Sequence, residues 1–141
     1  MANSRKDLKV EFVLFCDYAY TAEGGKLSIV GMFETIFVGE LPASHPEMFL
    51  VVHLLGGENA EHNIKLKIID PRRKDLVSKD TPFIKVKLSP SGTGNLLHRM
   101  LNFPVESTGK YIFSLYEGPK KIAEAKLRVI QTKKKKDDLS N

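Results

Sequence analysis

The stretch Ser107-Thr108-Gly109-Lys110-Tyr111-Ile112-Phe113-Ser114-Leu115 carries the pattern on which the fold turns. Tyr111, Phe113 and Leu115 fall on one side of an extended chain, so the segment reads as a strand with one covered face. A tyrosine opens that strand two residues before its central core position. Downstream, Glu117-Gly118-Pro119-Lys120 turns the chain. Ala123, Ala125, Leu127 and Val129 then form a last inward set opposite Glu124, Lys126 and Arg128.

The same period runs back toward the N-terminus. Ile64, Leu66 and Ile68 alternate with Lys65 and Lys67, and Ile84, Val86 and Leu88 alternate with Lys85 and Lys87, so both segments read as strands covered on one side. Residues 8–19 read as a largely buried strand with Val10, Phe12, Leu14 and Cys16 on one face and Val13 and Phe15 on the other. The turn Glu23-Gly24-Gly25-Lys26 leads to a second apolar arm from Leu27 to Val38, in which Gly31 predicts a bulge or bend. Pro42 and Pro46 predict a loop over residues 40–47, before a strand from Met48 to Leu55. Breakers at Gly56-Gly57, at Asp70-Pro71 and across residues 89–95 precede further strands, the last of them spanning Leu96 to Phe103.

About eight strands with no intervening helical period leave an all-β fold, either a two-sheet antiparallel sandwich or a closed β-barrel. Tyr111 and Phe113 favour the sandwich. Their spacing is that of the tyrosine corner of immunoglobulin-like domains, with Phe113 where an antibody domain has its second cysteine. The predicted core is Val10, Phe12, Leu14, Leu66, Ile68, Val86, Tyr111, Phe113, Leu127 and Val129.

Composition agrees with one domain. The chain has 141 residues, 42% hydrophobic and 28% charged, enough to bury a core without disulfides, and its single cysteine forbids an internal one. The expected organisation is a flexible terminus at residues 1–7, a β-sandwich over 8–131 and a disordered basic tail over 132–141. No apolar run is long enough to cross a bilayer as a helix, and no signal sequence opens the chain, so the expected compartment is cytoplasmic. The formal net charge of +5 is uneven. The tail holds four lysines and two aspartates, whereas residues 8–131 set 16 basic side chains against 14 acidic ones. Only weak, non-specific nucleic-acid binding through the tail is expected.

The segments Cys16-Asp17-Tyr18-Ala19, Gly25-Lys26-Leu27-Ser28-Ile29-Val30-Gly31-Met32-Phe33 and Leu41-Pro42-Ala43-Ser44-His45-Pro46 are motifs. With the C-terminal Gly109-x-Tyr111-x-Phe113, they resemble a family of small prokaryotic proteins that is itself a domain of unknown function. Leu41 stands where that family more often has phenylalanine. The resemblance covers most of residues 12–129 and implies one β-domain, without a cofactor or catalytic residue to carry over.

The residues themselves offer few sites. His45, His53, His62, His98 and Cys16 match no zinc spacing, although strand parity could gather Cys16, His53 and His98; no metal and no cofactor is expected. Cys16 among phenylalanines and leucines predicts a buried thiol of raised pKa, unsuited to nucleophilic chemistry. Ser91-Gly92-Thr93-Gly94 is a weak phosphate-cradling candidate, since no Gly-Lys-Ser/Thr follows it. Arg72, Arg73 and Lys74 at a turn tip are a candidate anion grip. The leading candidate ligand site pairs Asp17, at the end of the first strand, with His45 in a proline-braced loop. With no acid/base pair or nucleophile in a recognisable setting, the favoured function is a non-catalytic binding or protein-interaction module, whether with a protein partner or by self-association through edge strands. A small-ligand or anion-binding protein is the alternative, and an enzyme the least favoured class.

Overall fold

In the computed structural model, which describes residues 7–133, nine strands form two sheets and there is no helix among the described residues. The strands are β1 (Lys9–Ala22), β2 (Lys26–Phe33), β3 (Thr35–Val38), β4 (Ala43–Leu55), β5 (Glu61–Ile69), β6 (Ile84–Lys87), β7 (Thr93–Val105), β8 (Gly109–Glu117) and β9 (Lys120–Gln131). A four-stranded sheet runs β2-β1-β4-β7 and a five-stranded sheet runs β3-β9-β8-β5-β6. All the pairings are antiparallel except β3 with β9, where Ile36 lies opposite Val129. This is an immunoglobulin-like sandwich, and the two separate sheets set aside the barrel. The basic tail expected at residues 132–141 lies from residue 134 onward outside the described residues, as do residues 1–6 of the N-terminal segment.

The core forms where the inner faces meet. Leu50, Val52 and Leu54 of β4 face Leu66, Ile68, Phe113, Leu115 and Leu127 of the other sheet in one buried cluster. At its centre Phe15 of β1 meets Phe113 of β8 edge-on, ring centroids 4.8 Å apart, and Phe103 of β7 stacks on Phe113 at 5.7 Å. The tyrosine corner is present. Tyr111 is 1% exposed, and its hydroxyl donates to the carbonyl of Ser107 at 2.8 Å, tying the β7–β8 turn to the core.

Three expectations need correction. The apolar arm from Leu27 to Val38 is two strands, because the chain leaves one sheet after Phe33 and enters the other at Thr35, raising the strand total to nine. Residues 43–47 are not loop. Ser44 pairs with Pro104 and His45 with Phe103, since prolines at a strand end stay compatible with extended pairing when their missing donor is not needed. Phe12 and Leu14 are not core residues: Phe12 is 36% exposed, and Leu14 packs on the opposite side of the sheet from Phe15. The register of β1 against β4 shifts between Val10 and Phe12, so a bulge hands the inward positions from Val10 to Val13 and Phe15.

Gly31 marks a bend rather than an inserted residue. Its φ is +69°, yet Phe15↔Phe33 and Cys16↔Met32 on one side and Tyr18↔Val30 on the other keep a single register. Beyond it, Ala19 packs with Cys16, Phe49 and Val51 in a second, smaller cluster outside the sandwich, with Leu27 and Ile29 against it.

Phe113→Ala is expected to cost about 3 to 5 kcal/mol in urea denaturation, because it removes the ring both sheets pack on. Tyr111→Phe should cost about 0.5 to 1.5 kcal/mol by deleting the hydroxyl's short hydrogen bond to the Ser107 carbonyl and its longer one from the Ser107 amide. His98, on β7 opposite the core residue Leu50, supplies a pH test. Burial pushes its pKa below the usual 6.5. The unfolded chain therefore takes up a proton more readily than the folded one, so stability is undiminished above pH 6.5 and falls as the pH drops below it. Comparing urea midpoints at pH 7.5 and 5.5, the loss should be smaller in His98→Leu than in the native chain.

Candidate functional site

The bend at Gly31 shapes the site. Its left-handed backbone strains any L-residue, and a Cβ there would stand 2.4 Å from Asp17 Oδ2 and 3.0 Å from its Cγ. The aspartate and the glycine thus occupy one another's space across the β1–β2 pair. Asp17 lies within β1, which continues to Ala22, rather than at the strand's end, and His45 lies in β4 rather than in a loop. Both line one depression of about 320 Å³, together with Gly31, Met32, Phe33, Thr35, Ile36 and Phe37.

Phe33 connects this depression to the core. On one side its ring stacks on Phe15 at 6.4 Å, and on the other it lies 5.8 Å from the His45 imidazole. Of the residues lining the depression, Met32 is 63% and Phe37 65% exposed. A carboxylate, an imidazole and exposed thioether and aromatic groups make a surface suited to binding an apolar group that carries a polar or cationic end. The sequence pointed to Asp17 and His45 but not to Met32, Phe33 or Phe37. The Gly31-x-Phe33 spacing was the available signal, because it sets Phe33 two residues past the bend.

The other candidates do not join this site. Arg72, Arg73 and Lys74 are exposed in the β5–β6 connection. Their turn is built around Asp70, whose Oδ1 accepts from the backbone N–H groups of Arg72 at 2.9 Å and Lys74 at 2.7 Å. In the segment Ser91–Gly94, the Ser91 and Thr93 amides donate to Ser89 Oγ and the Gly92 amide to the Ser89 carbonyl. Those three donors are spent within the turn instead of being presented to a phosphate.

The histidines are dispersed. His53 Nδ1 is 2.6 Å from Asn95 Oδ1 and its ring stacks on Phe12, while His62 of β5 pairs with Glu117 of β8. Cys16 and His53 lie on the outer side of the four-stranded sheet, whereas His98 occupies an inward position between Leu96 and Met100, so strand parity separates the three. No group of three potential metal-ligating side chains forms among the described residues. Cys16 is fully buried, and burial pushes its thiol pKa up, with the neighbouring Asp17 charge adding to the effect. No helix among the described residues is long and apolar enough to cross a membrane.

Residues 11–130 match the model of a family of unknown function, DUF6941, and the chain belongs to that family. No curated protein matches it. Among solved structures, the chain resembles part of a β-glucosidase from Listeria innocua in complex with isofagomine, with 9% identity and a TM-score of 0.52. That match covers 91% of this chain but 16% of the glucosidase, so the likeness is of one domain within a far longer protein and concerns the fold alone. An immunoglobulin-like protein from Pseudomonas aeruginosa is similar over 88% of this chain and 97% of its own, at 9% identity and a TM-score of 0.44.

The fit between Gly31 and Asp17 can be measured. Gly31→Ala is expected to cost about 2 to 3 kcal/mol, combining left-handed strain with the clash against the carboxylate. In an Asp17→Ala background the same change should cost about 1 kcal/mol, and the difference in a double-mutant cycle reports their contact.

Proposed function

We propose that the chain is a non-catalytic binding module that engages a protein partner at the depression holding Asp17 and His45. The observation that carries this reading is the convergence of two polar residues, from β1 and β4, beside exposed Met32 and Phe37. Exposed apolar side chains gathered at one place mark interaction sites, and aromatic residues and methionine are enriched among interface anchors. The raised pKa of the buried Cys16 thiol and the engagement of His53 and His62 with neighbouring side chains support binding over nucleophilic chemistry. A free cysteine also suits the reducing cytoplasm, where this reading places the module.

The test uses substitutions that leave the core alone. Met32→Asp and Phe37→Asp should each weaken capture of a partner from native extract by more than about tenfold, as expected for interface anchors. Thermal stability should change by no more than about 0.5 kcal/mol, because both side chains are exposed. Capture that is indifferent to both substitutions would place the interaction elsewhere.

A further inference from the structure

The near balance of charge along the sequence hides a segregation by face. On the outer side of the five-stranded sheet, opposite the core positions Ile64, Leu66 and Val86, stand Lys65 and Lys67 of β5 and Lys85 and Lys87 of β6. The same side carries Lys121 of β9, level with Lys65 across Tyr116, and, further along the strands, Lys126 of β9 and the paired Lys110 of β8 and Arg128 of β9. Three acidic side chains stand among them: Glu61, opposite Lys87, Glu124, paired with Lys121, and Asp75, beside Lys65 and Lys67. The opposed outer face of the four-stranded sheet is built instead on the apolar cluster of Cys16, Phe49 and Val51, edged by the ion pair Arg99–Glu47.

Aromatic rings interrupt the lysines at one level of this face. Tyr116 of β8 lies opposite both Lys65 and Lys121. Phe83, 57% exposed, precedes the first residue of β6, and since Ile84 pairs with Ile64 it comes alongside Lys65. The order across the sheet is therefore Phe83, Lys65, Tyr116, Lys121, with the two rings two strands, or roughly 10 Å, apart. The β5–β6 connection walls one flank, where Lys79, Val77 and Asp75 enclose with Lys65, Lys67 and Tyr116 a depression of about 380 Å³.

We infer that this sheet face binds single-stranded nucleic acid, with the lysines on phosphates and Phe83 and Tyr116 under bases. Alternation of cationic and aromatic groups on an open surface is the arrangement that holds unpaired bases without reading their sequence. A flat sheet offers no helix or ribbon to enter a duplex groove, so double-stranded DNA is disfavoured. An anionic lipid surface would use the lysines but gain nothing from a tyrosine recessed between them. This site is built on β5, β6, β8 and β9, none of which lines the Asp17–His45 depression, and it stands independently of that depression.

The test is fluorescence anisotropy of the full chain with a labelled 20-nucleotide oligothymidine. Binding should weaken by roughly 10³-fold between 20 and 200 mM salt, as for about four phosphate contacts on a single strand. Lys67→Gln/Lys85→Gln/Lys87→Gln should lower affinity at least tenfold at 20 mM salt and make the salt dependence shallower. Phe83→Ala should lower it about tenfold with an unchanged salt slope, because stacking releases no counterion. Deleting residues 134–141, which removes Lys134, Lys135 and Lys136, separates the face from these terminal lysines and should leave most of the binding. Circular dichroism melting of each variant verifies that these exposed substitutions leave the fold intact. Binding abolished by the deletion, or unaffected by the triple substitution, would overturn the proposal. So would tighter binding to a duplex of equal length, or to phosphatidylserine vesicles than to the oligonucleotide.

Discussion

An unbroken series of ring contacts runs through the molecule, from the tyrosine corner to the candidate site. Tyr111 meets Phe103 at 5.7 Å, Phe103 stacks on Phe113, Phe113 meets Phe15, Phe15 stacks on Phe33, and Phe33 approaches His45. Rings from the two sheets alternate over its first four members, Tyr111, Phe103, Phe113 and Phe15, which bond the layers, while Phe33 and His45 continue it along the four-stranded sheet as the wall behind the site. Offset and edge-on ring pairs add about 0.5 to 1.5 kcal/mol each beyond their buried area. Phe33 has one side in the core and the other against the imidazole, so His45 inherits its position from the packing of the sandwich.

That series exists because several strands change their inward parity part-way along. The bulge before Phe12 brings Phe15 inward, and the left-handed Asn102, φ 52°, separates exposed Leu101 from buried Phe103. Gly31 does the corresponding service on β2, and the neighbouring Asp17 occupies the space its missing side chain leaves. Local departures from strand regularity concentrate where a protein re-aims side chains, and two of these three flank the Asp17–His45 depression.

The same devices set the limit of what was legible in the sequence. Where a strand keeps its period from end to end, as in Ile64-Lys65-Leu66-Lys67-Ile68 and Tyr111-Ile112-Phe113-Ser114-Leu115, alternation assigned each face correctly, and the tyrosine corner followed from spacing alone. In β1, apolar residues at successive positions left two faces open, and only the bulge decides between them, which is why Phe12 was expected in the core and Phe15 was not. Prolines at 42 and 46 spoke for a loop, but strand pairing with β7 over residues 43–45 outweighs that local signal. Asp17 and His45 were visible as motif residues. They were also paired as one candidate site, but the lining that joins them was not legible, because it depends on the non-local pairing of β1 with both β2 and β4. The segregation of lysines onto one sheet face was hidden for a related reason: a sequence total carries no sign of which strands become neighbours.

The central claim is that Phe33 joins the core to the candidate site, and proton–proton contacts in solution test it most directly. In a nuclear Overhauser spectrum of the labelled protein, the Phe33 ring protons should show cross-peaks to both the Phe15 ring and the His45 imidazole, since both centroids lie within 6.4 Å. A His45 ring with contacts to neither Phe33 nor Phe103, its strand partner, would contradict the account. His45 would then belong to a mobile loop, with no packed core behind the proposed binding surface.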